Sequence, residues 1–319
     1  MSIKQLVFDR NGIQLDYDNQ TLVIREPPHG VRTLPLRYLR RVVCLHSVSV
    51  STALLGQLWQ RGIDFVVINS RSSDTSFALY PNQTGVVERR CRQYQWQQTD
   101  SLCLPLATAL CQHRLHIQQR ILARRTTNTT PTELPLIAVL TNLARQMPQT
   151  TDAQQLRGLE GHAQKLMFQY WREQLPDKLG FQKRQRRPPP DPVNALLSLT
   201  YTLVLQEAIR QCIANGLDSQ LGFYHRVAHG RHSLACDLME VARPYCEAWV
   251  VDQFRSGELD LRHFTRPRTP NVGCMLGKAG RSHYYSQVAP AMQEWRKPLA
   301  AAARWVRQTL DHGLLEPVA

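Results

Sequence analysis

The sequence predicts an α+β fold, with a β-rich N-terminal domain over residues 1–85 followed by a larger all-α domain over residues 86–319. Two observations carry that expectation. Up to about residue 80 the apolar residues alternate in short runs separated by turn residues, the mark of half-buried strands. Near residue 85 the spacing changes to three and four and stays helical towards the end of the sequence. A chain of 319 residues is long enough for one large or two modest packed cores.

The strand region opens with Leu6-Val7-Phe8 and the turn Asp9-Arg10-Asn11-Gly12. Residues Ile13 to Tyr17 then alternate, and after a polar Asp18-Asn19-Gln20 turn Thr21 to Arg25 form a further strand. Pro27-Pro28-His29-Gly30 breaks the run, and Arg41 to His46 resumes it. Ser51 caps a helix that Gly62 stops, and Ile63 to Ile68 read as a short buried strand. These segments are expected to be successive antiparallel strands around one helix. No chemistry is legible in them.

Residues 85–99 and 102–125 are helical by period and carry arginines interleaved with Tyr94 and Trp96. Two readings are open for those arginines: phosphate contacts beside stacking surfaces, or the wet side of amphipathic helices. The tract 126–132 is a loop by composition, and helices follow over about 133–147 and around Glu160. The basic run 183–190, KRQRRPPP, cannot be helical through its prolines. Asp191 and Pro192 supply an N-cap and a first-turn proline for a long helix that Gly216 closes. Apolar residues cover most of that helix, so it should be the buried centre of the second domain. Beyond Pro244 a helix runs to about Ser256, a polar span holds Lys278 and Arg281, and Tyr284 to His312 are helical.

Against 25 acidic residues stand 39 basic ones, a net charge of +14 that points to a polyanionic partner. No apolar run approaches the length of a membrane span, so nucleic acid is favoured over a membrane. The first residues lack a secretory signal, which predicts a cytoplasmic protein. Eight cysteines without a CxxC pair suggest free thiols rather than disulfides or a zinc cluster.

The densest chemistry lies in residues 221–244, LGFYHRVAHGRHSLACDLMEVARP. A loop delivers His225 to a helix that Ser233 caps, and Asp237 and Glu240, three apart, share one face of it. Either this is a solvated acidic face, or a pair with Arg243, or a divalent metal site built from the imidazole and the carboxylates. Upstream, Glu160 sits between Gly158 and Gly161 on an amphipathic helix, where each glycine costs about 1 kcal/mol relative to alanine. Two readings are open here: the glycines let something come close to the backbone beside Glu160, or Glu160 is a surface glutamate on an amphipathic helix.

The LRGLEG glutamate, the segment RRPPPDPVNALLSLTYTLV, and GF-x-H followed by DLMExxRP together resemble the universal CRISPR adaptation integrase family, the endonuclease-like subunit that inserts new spacers into the repeat array. The likeness spans nearly the whole chain and is most specific in the second half. It implies a β-rich module through which two subunits pair as a homodimer and an all-helical catalytic domain. It implies that Glu160, His225 and Glu240 bind the metal, with Asp237 in the neighbouring acidic position of the catalytic set. Some members hold aspartate where this chain has Glu240, which leaves open whether Asp237 or Glu240 touches the ion. An oxygen-rich set with one imidazole suits Mg²⁺ or Mn²⁺ better than zinc. His229 and His232 are read as DNA-facing or incidental.

Such a set performs phosphoryl transfer at a DNA phosphodiester: strand transfer with a 3′-hydroxyl nucleophile, cleavage with water. Arg184, Arg186, Arg187, Arg226, Arg231, Lys278 and Arg281 are the candidate contacts to double-stranded and branched DNA. The family also implies a small adaptation-module partner dimer that bridges two dimers of this subunit. Two other functions stay in view, a nuclease of branched DNA in repair and a non-catalytic basic DNA-binding protein whose acids hold a structural ion.

Overall fold

The computed structural model describes residues 5–27, 30–68, 76–81, 87–126, 133–265 and 273–313. The loop expected over 126–132 lies, from 127 onward, outside the described residues, as do Pro28 and His29 of the first break. The chain divides into two compact units, Met1–Thr84 and Gly85–Ala319. The first is strand-rich and the second mostly helical, so the α+β expectation holds. Among the described residues no helix is long and apolar enough to cross a membrane.

The first unit contains β1 (Gln5–Phe8), β2 (Gln14–Asp18), β3 (Thr21–Glu26), β4 (Gly30–Pro35), β5 (Arg41–Cys44), β6 (Ser49–Val50), α1 (Thr52–Gln60), β7 (Asp64–Val67) and β8 (Phe77–Leu79). One sheet has the order β4-β3-β2-β6, the other β1-β5-β7-β8. The first matches the expected hairpins: β2 and β3 pair antiparallel about a tight turn in which Asn19 and Gln20 both have positive φ, the geometry that follows the strand twist. The second does not. Val42 of β5 stands opposite both Leu6 and Phe65 in parallel pairs. Parallel neighbours need long crossovers, which the first sheet supplies between β1 and β5 and α1 supplies between β5 and β7. All four residues of β5 are buried, as in a strand covered on both faces. Strand β4 escaped the sequence reading because it is an edge whose first four residues are exposed, so no apolar face marks it.

Phe8, Leu15, Leu22 and Ile24 from the strands, and Leu54 and Leu58 from α1, form one core. Beside it Arg41 and Asp64, register partners on β5 and β7, make a buried ion pair in which Nε and Nη2 each reach Asp64 Oδ2 at 3.1 Å. Ser51 caps α1, its Oγ accepting from the Leu54 amide, as the sequence predicts.

The second unit comprises α2 (Val87–Gln98), α3 (Asp100–Thr126), α4 (Glu133–Gln146), α5 (Ala153–Glu173), α6 (Pro192–Ala214), α7 (Ser233–Met239), α8 (Arg243–Arg255), the short strands β9 (Phe264–Thr265) and β10 (Met275–Leu276), and α9 (Lys278–His312). Helix α6 is buried around most of its circumference and packs on α7, α8 and α9. Asp191 caps it through the Asn194 amide, and Gly216 at φ +67° ends it. The helix that packs on both α5 and α7 is α3, which also contacts α8.

Two sequence expectations change here. The span holding Lys278 and Arg281 is the first turn of α9, which begins six residues before Tyr284. Gly280 lets that turn sit on residues 261–263, since a Cβ there would lie 2.6 Å from the His263 carbonyl oxygen. Among the arginines of the first helical stretch, Arg89 and Arg92 serve neither suggested role. Arg89 grips Asp311 with two 2.8 Å hydrogen bonds, and Arg92 donates to the Leu310 and Asp311 carbonyls at the end of α9.

Removing one partner of a buried ion pair deprives the other charge of that counter-ion, at a cost of up to about 3–5 kcal/mol. Asp64→Asn should therefore speed amide exchange in β5 and β7 by roughly a hundredfold or more, read by hydrogen–deuterium exchange. Unchanged protection in those two strands would show that the pair contributes nothing net.

Candidate active site

Asp152 caps α5 by accepting from the amides of Gln154 and Gln155, and Glu160 follows two turns later, its side chain 16% exposed. A Cβ added at Gly158 or Gly161 would meet nothing within 4 Å. The helix surface at the two glycines is therefore open, leaving that stretch of α5 accessible to an outside molecule.

His225 arrives on a loop ahead of α7, as expected, but Ser233 is not the cap. His232 stands at that position without a side-chain capping bond, while the Ser233 hydroxyl donates to the Arg226 carbonyl at 3.0 Å. The helix stops at Met239, leaving Glu240 at its C-terminal boundary. Asp237 and Glu240 are 0% and 1% exposed, which overturns the solvated acidic face. The one partner they share is His225, which lies between them. Asp237 Oδ2 accepts from the Phe223 and Tyr224 amides at 2.6 and 3.0 Å, and Oδ1 accepts from the His225 amide at 2.8 Å and from its Nδ1 at 2.7 Å. The Asp237 carboxylate is thereby spent on folding the loop. Gly222 is obligatory in that fold: a Cβ would lie 2.7 Å from the Ser233 carbonyl carbon and 2.9 Å from Asp237 Oδ2.

With Nδ1–H held by Asp237, the lone pair of His225 is on Nε2, 3.9 Å from Glu240 Oε1. A carboxylate behind an imidazole in this way fixes its tautomer and the orientation of the ring. The solvent-reachable edge of the site is thus formed by His225 and Glu160, with Glu240 beneath them.

Between the two glutamates lies a residue the sequence reading passed over. Arg114 of α3, 1% exposed, donates from Nη1 to Glu160 Oε1 and to Glu240 Oε2, and from Nη2 to Gln164 Oε1. Arg243 adds a 3.0 Å contact to Glu240 Oε1, the pairing the sequence had offered as one alternative. Tyr224 donates its hydroxyl to Glu160 Oε2 at 3.0 Å. Farther in, Glu247 Oε1 accepts from Tyr201 and Gln164 at 2.7 and 3.0 Å, and the guanidinium groups of Arg184 and Arg243 both lie over the Tyr201 ring. Arg114 did leave a signal. It stands four residues after Leu110 and three before Ile117, both fully buried, so it is a charge on the apolar face of its helix.

Burial alone pushes the Glu240 carboxyl up, yet Arg114, backed by Arg243 and His225, holds it below its ordinary value of 4.5. Glu247 goes the other way, raised by burial that its neighbours offset only in part. Among the described residues no three His, Cys, Asp or Glu side chains already stand as a metal cage. The donor chemistry fits a hard divalent cation nonetheless: two carboxylates from different elements face one another across a cation, with an oriented imidazole nitrogen beside them.

Of the basic residues expected to meet DNA, Arg186, Arg187, Arg226 and Lys278 are exposed. Arg184 is turned inward, donating to Asn194 Oδ1 and Ser198 Oγ at 3.0 Å each, and its burial lowers its pKa. Arg231 is half-buried and donates to the Arg226 carbonyl, and half-buried Arg281 donates to the Leu276 carbonyl. His229 is exposed, while His232 pairs through Nδ1 with Ser219 Oγ at 2.8 Å.

Asp237→Asn would turn an amide donor towards backbone N–H groups, costing about 2 kcal/mol and lowering Tm by roughly 4–8 °C in a calorimetric scan. An unchanged Tm would remove Asp237 as the organiser of the loop. The depressed Glu240 carboxyl contributes stability that is present above its unfolded value near 4.5 and is lost as pH falls through the folded value. The stability gap between the parent chain and Glu240→Gln should therefore be wider at about pH 7 than at about pH 3 in urea titrations. An equal gap at both would mean that its ion pairs do not hold the charged form.

The family model for CRISPR associated protein Cas1 matches residues 6–289. The chain is 30% identical over 312 residues to the CRISPR-associated endonuclease Cas1 1 of Thermodesulfovibrio yellowstonii, covering 95% of this chain and 97% of the relative. It is 29% identical over 317 residues to Cas1 1 of Thermus thermophilus, covering 96% and 94%. Among solved structures, a CAS1 protein from Thermotoga maritima superposes with a TM-score of 0.84 over 97% of each chain at 18% identity. A casposase bound to its integration product gives 0.83 at 17% identity, over 99% of this chain and 94% of the other. At such identities the superpositions speak for the fold, whereas the family match and the full-length relatives speak for descent: the chain belongs to the Cas1 family of CRISPR-associated endonucleases.

Proposed function

We propose that this chain joins short duplex DNA to the repeat of a CRISPR array, by attack of DNA 3′-hydroxyl ends on repeat phosphodiesters, at a site formed by Glu160, His225 and Glu240. The observation that supports the reading is that Glu160 of α5 and Glu240 at the end of α7 meet on one buried cation, Arg114, while the loop before α7 sets His225 Nε2 3.9 Å from Glu240 Oε1, with Asp237 holding the imidazole from behind. Family membership favours this over a repair nuclease or a non-catalytic DNA-binding protein.

Glu160, His225 and Glu240 are the residues that would hold Mg²⁺ or Mn²⁺. When bound, the ion polarises a non-bridging phosphate oxygen and offsets the charge that develops there. The chain does the rest. Asp237 keeps the His225 Nε2 lone pair facing the site, Tyr224 fixes one oxygen of Glu160, and Arg243 and Arg114 keep Glu240 ionised. The open surface at Gly158 and Gly161 gives a DNA backbone room to reach Glu160. Exposed Arg186, Arg187, Arg226 and Lys278 would grip phosphates without reading sequence. In this reading the protein works in the cytoplasm as a homodimer through its strand-rich unit, and two dimers are bridged by a small partner dimer. Structures of a Cas6-RT-Cas1–Cas2 complex and of a TtCas1–DNA complex are among the similar folds, which supports both partners.

With that partner, Mn²⁺ or Mg²⁺, and a duplex bearing free 3′-hydroxyl ends, the purified chain should join those ends to a repeat-containing plasmid. Glu160→Ala and His225→Ala should each reduce joining by roughly a hundredfold or more while changing DNA affinity by no more than about threefold. Affinity itself should fall steeply with salt, with a log–log slope of about −0.9 per neutralised phosphate. Joining that persists in both variants would mean the site is elsewhere.

A further inference from the structure

The cation in the site is part of the chain, and its surroundings hold a second place for it. Glu160 and Glu240 face each other across the Arg114 guanidinium, which supplies the positive charge that two opposed carboxylates need. A divalent ion held by the same two carboxylates would repel that guanidinium at contact distance. The guanidinium cannot lose its charge, and at 1% exposure it cannot retreat to water. It can move sideways. Its Nη2 already lies 4.0 Å from Glu247 Oε1, and Glu247 is 0% exposed with its other oxygen, Oε2, buried and without a hydrogen-bond partner. Arg114 Nε is likewise buried and unpartnered. A shift of about 1.2 Å brings Nη2 to the usual distance of a charge-assisted hydrogen bond, about 2.8 Å.

We propose that Arg114 is a resident counter-ion that holds Glu160 and Glu240 in place before the metal arrives and transfers to Glu247 when it does. It is a positioning residue: it shapes the carboxylates and competes for them. The inference rests on Glu160 and Glu240 being the metal-holding pair and adds the resting occupant and its destination. It gives the two residues opposite signs. Without Arg114 the metal meets no competitor; without the Glu247 charge the guanidinium has no second seat and stays on the glutamates.

The test is Mn²⁺ affinity of the full chain without DNA, measured by loss of the free-ion paramagnetic resonance signal, together with Tm with and without Mn²⁺. Arg114→Met should bind Mn²⁺ at least tenfold more tightly than the parent. Its Tm without metal should fall by roughly 5–15 °C, as for a buried ion cluster deprived of its cation, and Mn²⁺ should restore most of it. Glu247→Gln, nearly isosteric, should bind Mn²⁺ at least tenfold more weakly and carries the test alone if Arg114→Met does not fold. A merely structural role would lower Tm in both without splitting the affinities in opposite directions. Affinity in Glu247→Gln equal to the parent's, or in a folded Arg114→Met no tighter than the parent's, overturns the inference. Parent binding that is absent, or untouched by Glu160→Ala, overturns the metal-site reading and this inference with it, so the two failures are told apart.

Discussion

Everything at the site depends on one carboxylate that faces no solvent. Asp237 accepts from three consecutive backbone amides, 223 to 225, and from the imidazole of the third residue. A loop of this length would otherwise sample many conformations, each ordered residue costing about 1–2 kcal/mol of backbone entropy. Buried N–H groups with a single ionised acceptor leave few alternatives. The same bonds set where His225 points and which of its nitrogens carries the proton. Gly222 is the concession that lets the carboxylate come so close.

Around that loop the charges are layered. Glu160 is partly open to solvent, Glu240 lies beneath it with its charge retained by two arginines, and Glu247 lies deeper, where burial raises its pKa. Moving inward, each carboxyl needs more protein support to stay charged. Tyr201 joins the deepest layer to the basic segment before α6, because its hydroxyl reaches Glu247 while Arg184 and Arg243 cover its ring. Arg184, read from sequence as a DNA contact, belongs to this support.

What the sequence made legible was whatever has a local physical cause. Helix α6 was readable from a capping aspartate, a first-turn proline, a closing glycine and an apolar circumference, all of which operate within the segment. The tight turn between β2 and β3 was readable for the same reason. The parallel arrangement of β1, β5 and β7 was not, since pairing direction is set by crossovers many residues away rather than by the alternation within a strand. At the site, His225, Asp237 and Glu240 announced themselves by spacing, and Glu160 by its glycines and the family likeness. Arg114 was hidden because a basic residue on a helix is read as solvated. Its burial depends on carboxylates 46 and 126 residues away in sequence.

The grip of Arg89 and Arg92 on the end of α9 has a consequence for how the helical unit comes into being. These arginines lie on α2, and their partners, Leu310 and Asp311, lie on the last turn of α9. During synthesis α2 leaves the ribosome more than two hundred residues ahead of the groups it docks on. Contacts so distant in sequence form late, because the loop they close must be ordered first. Helix α2 therefore lacks its seat on α9 until α9 itself has been made, and the helical unit closes as an early element is sealed by a late one.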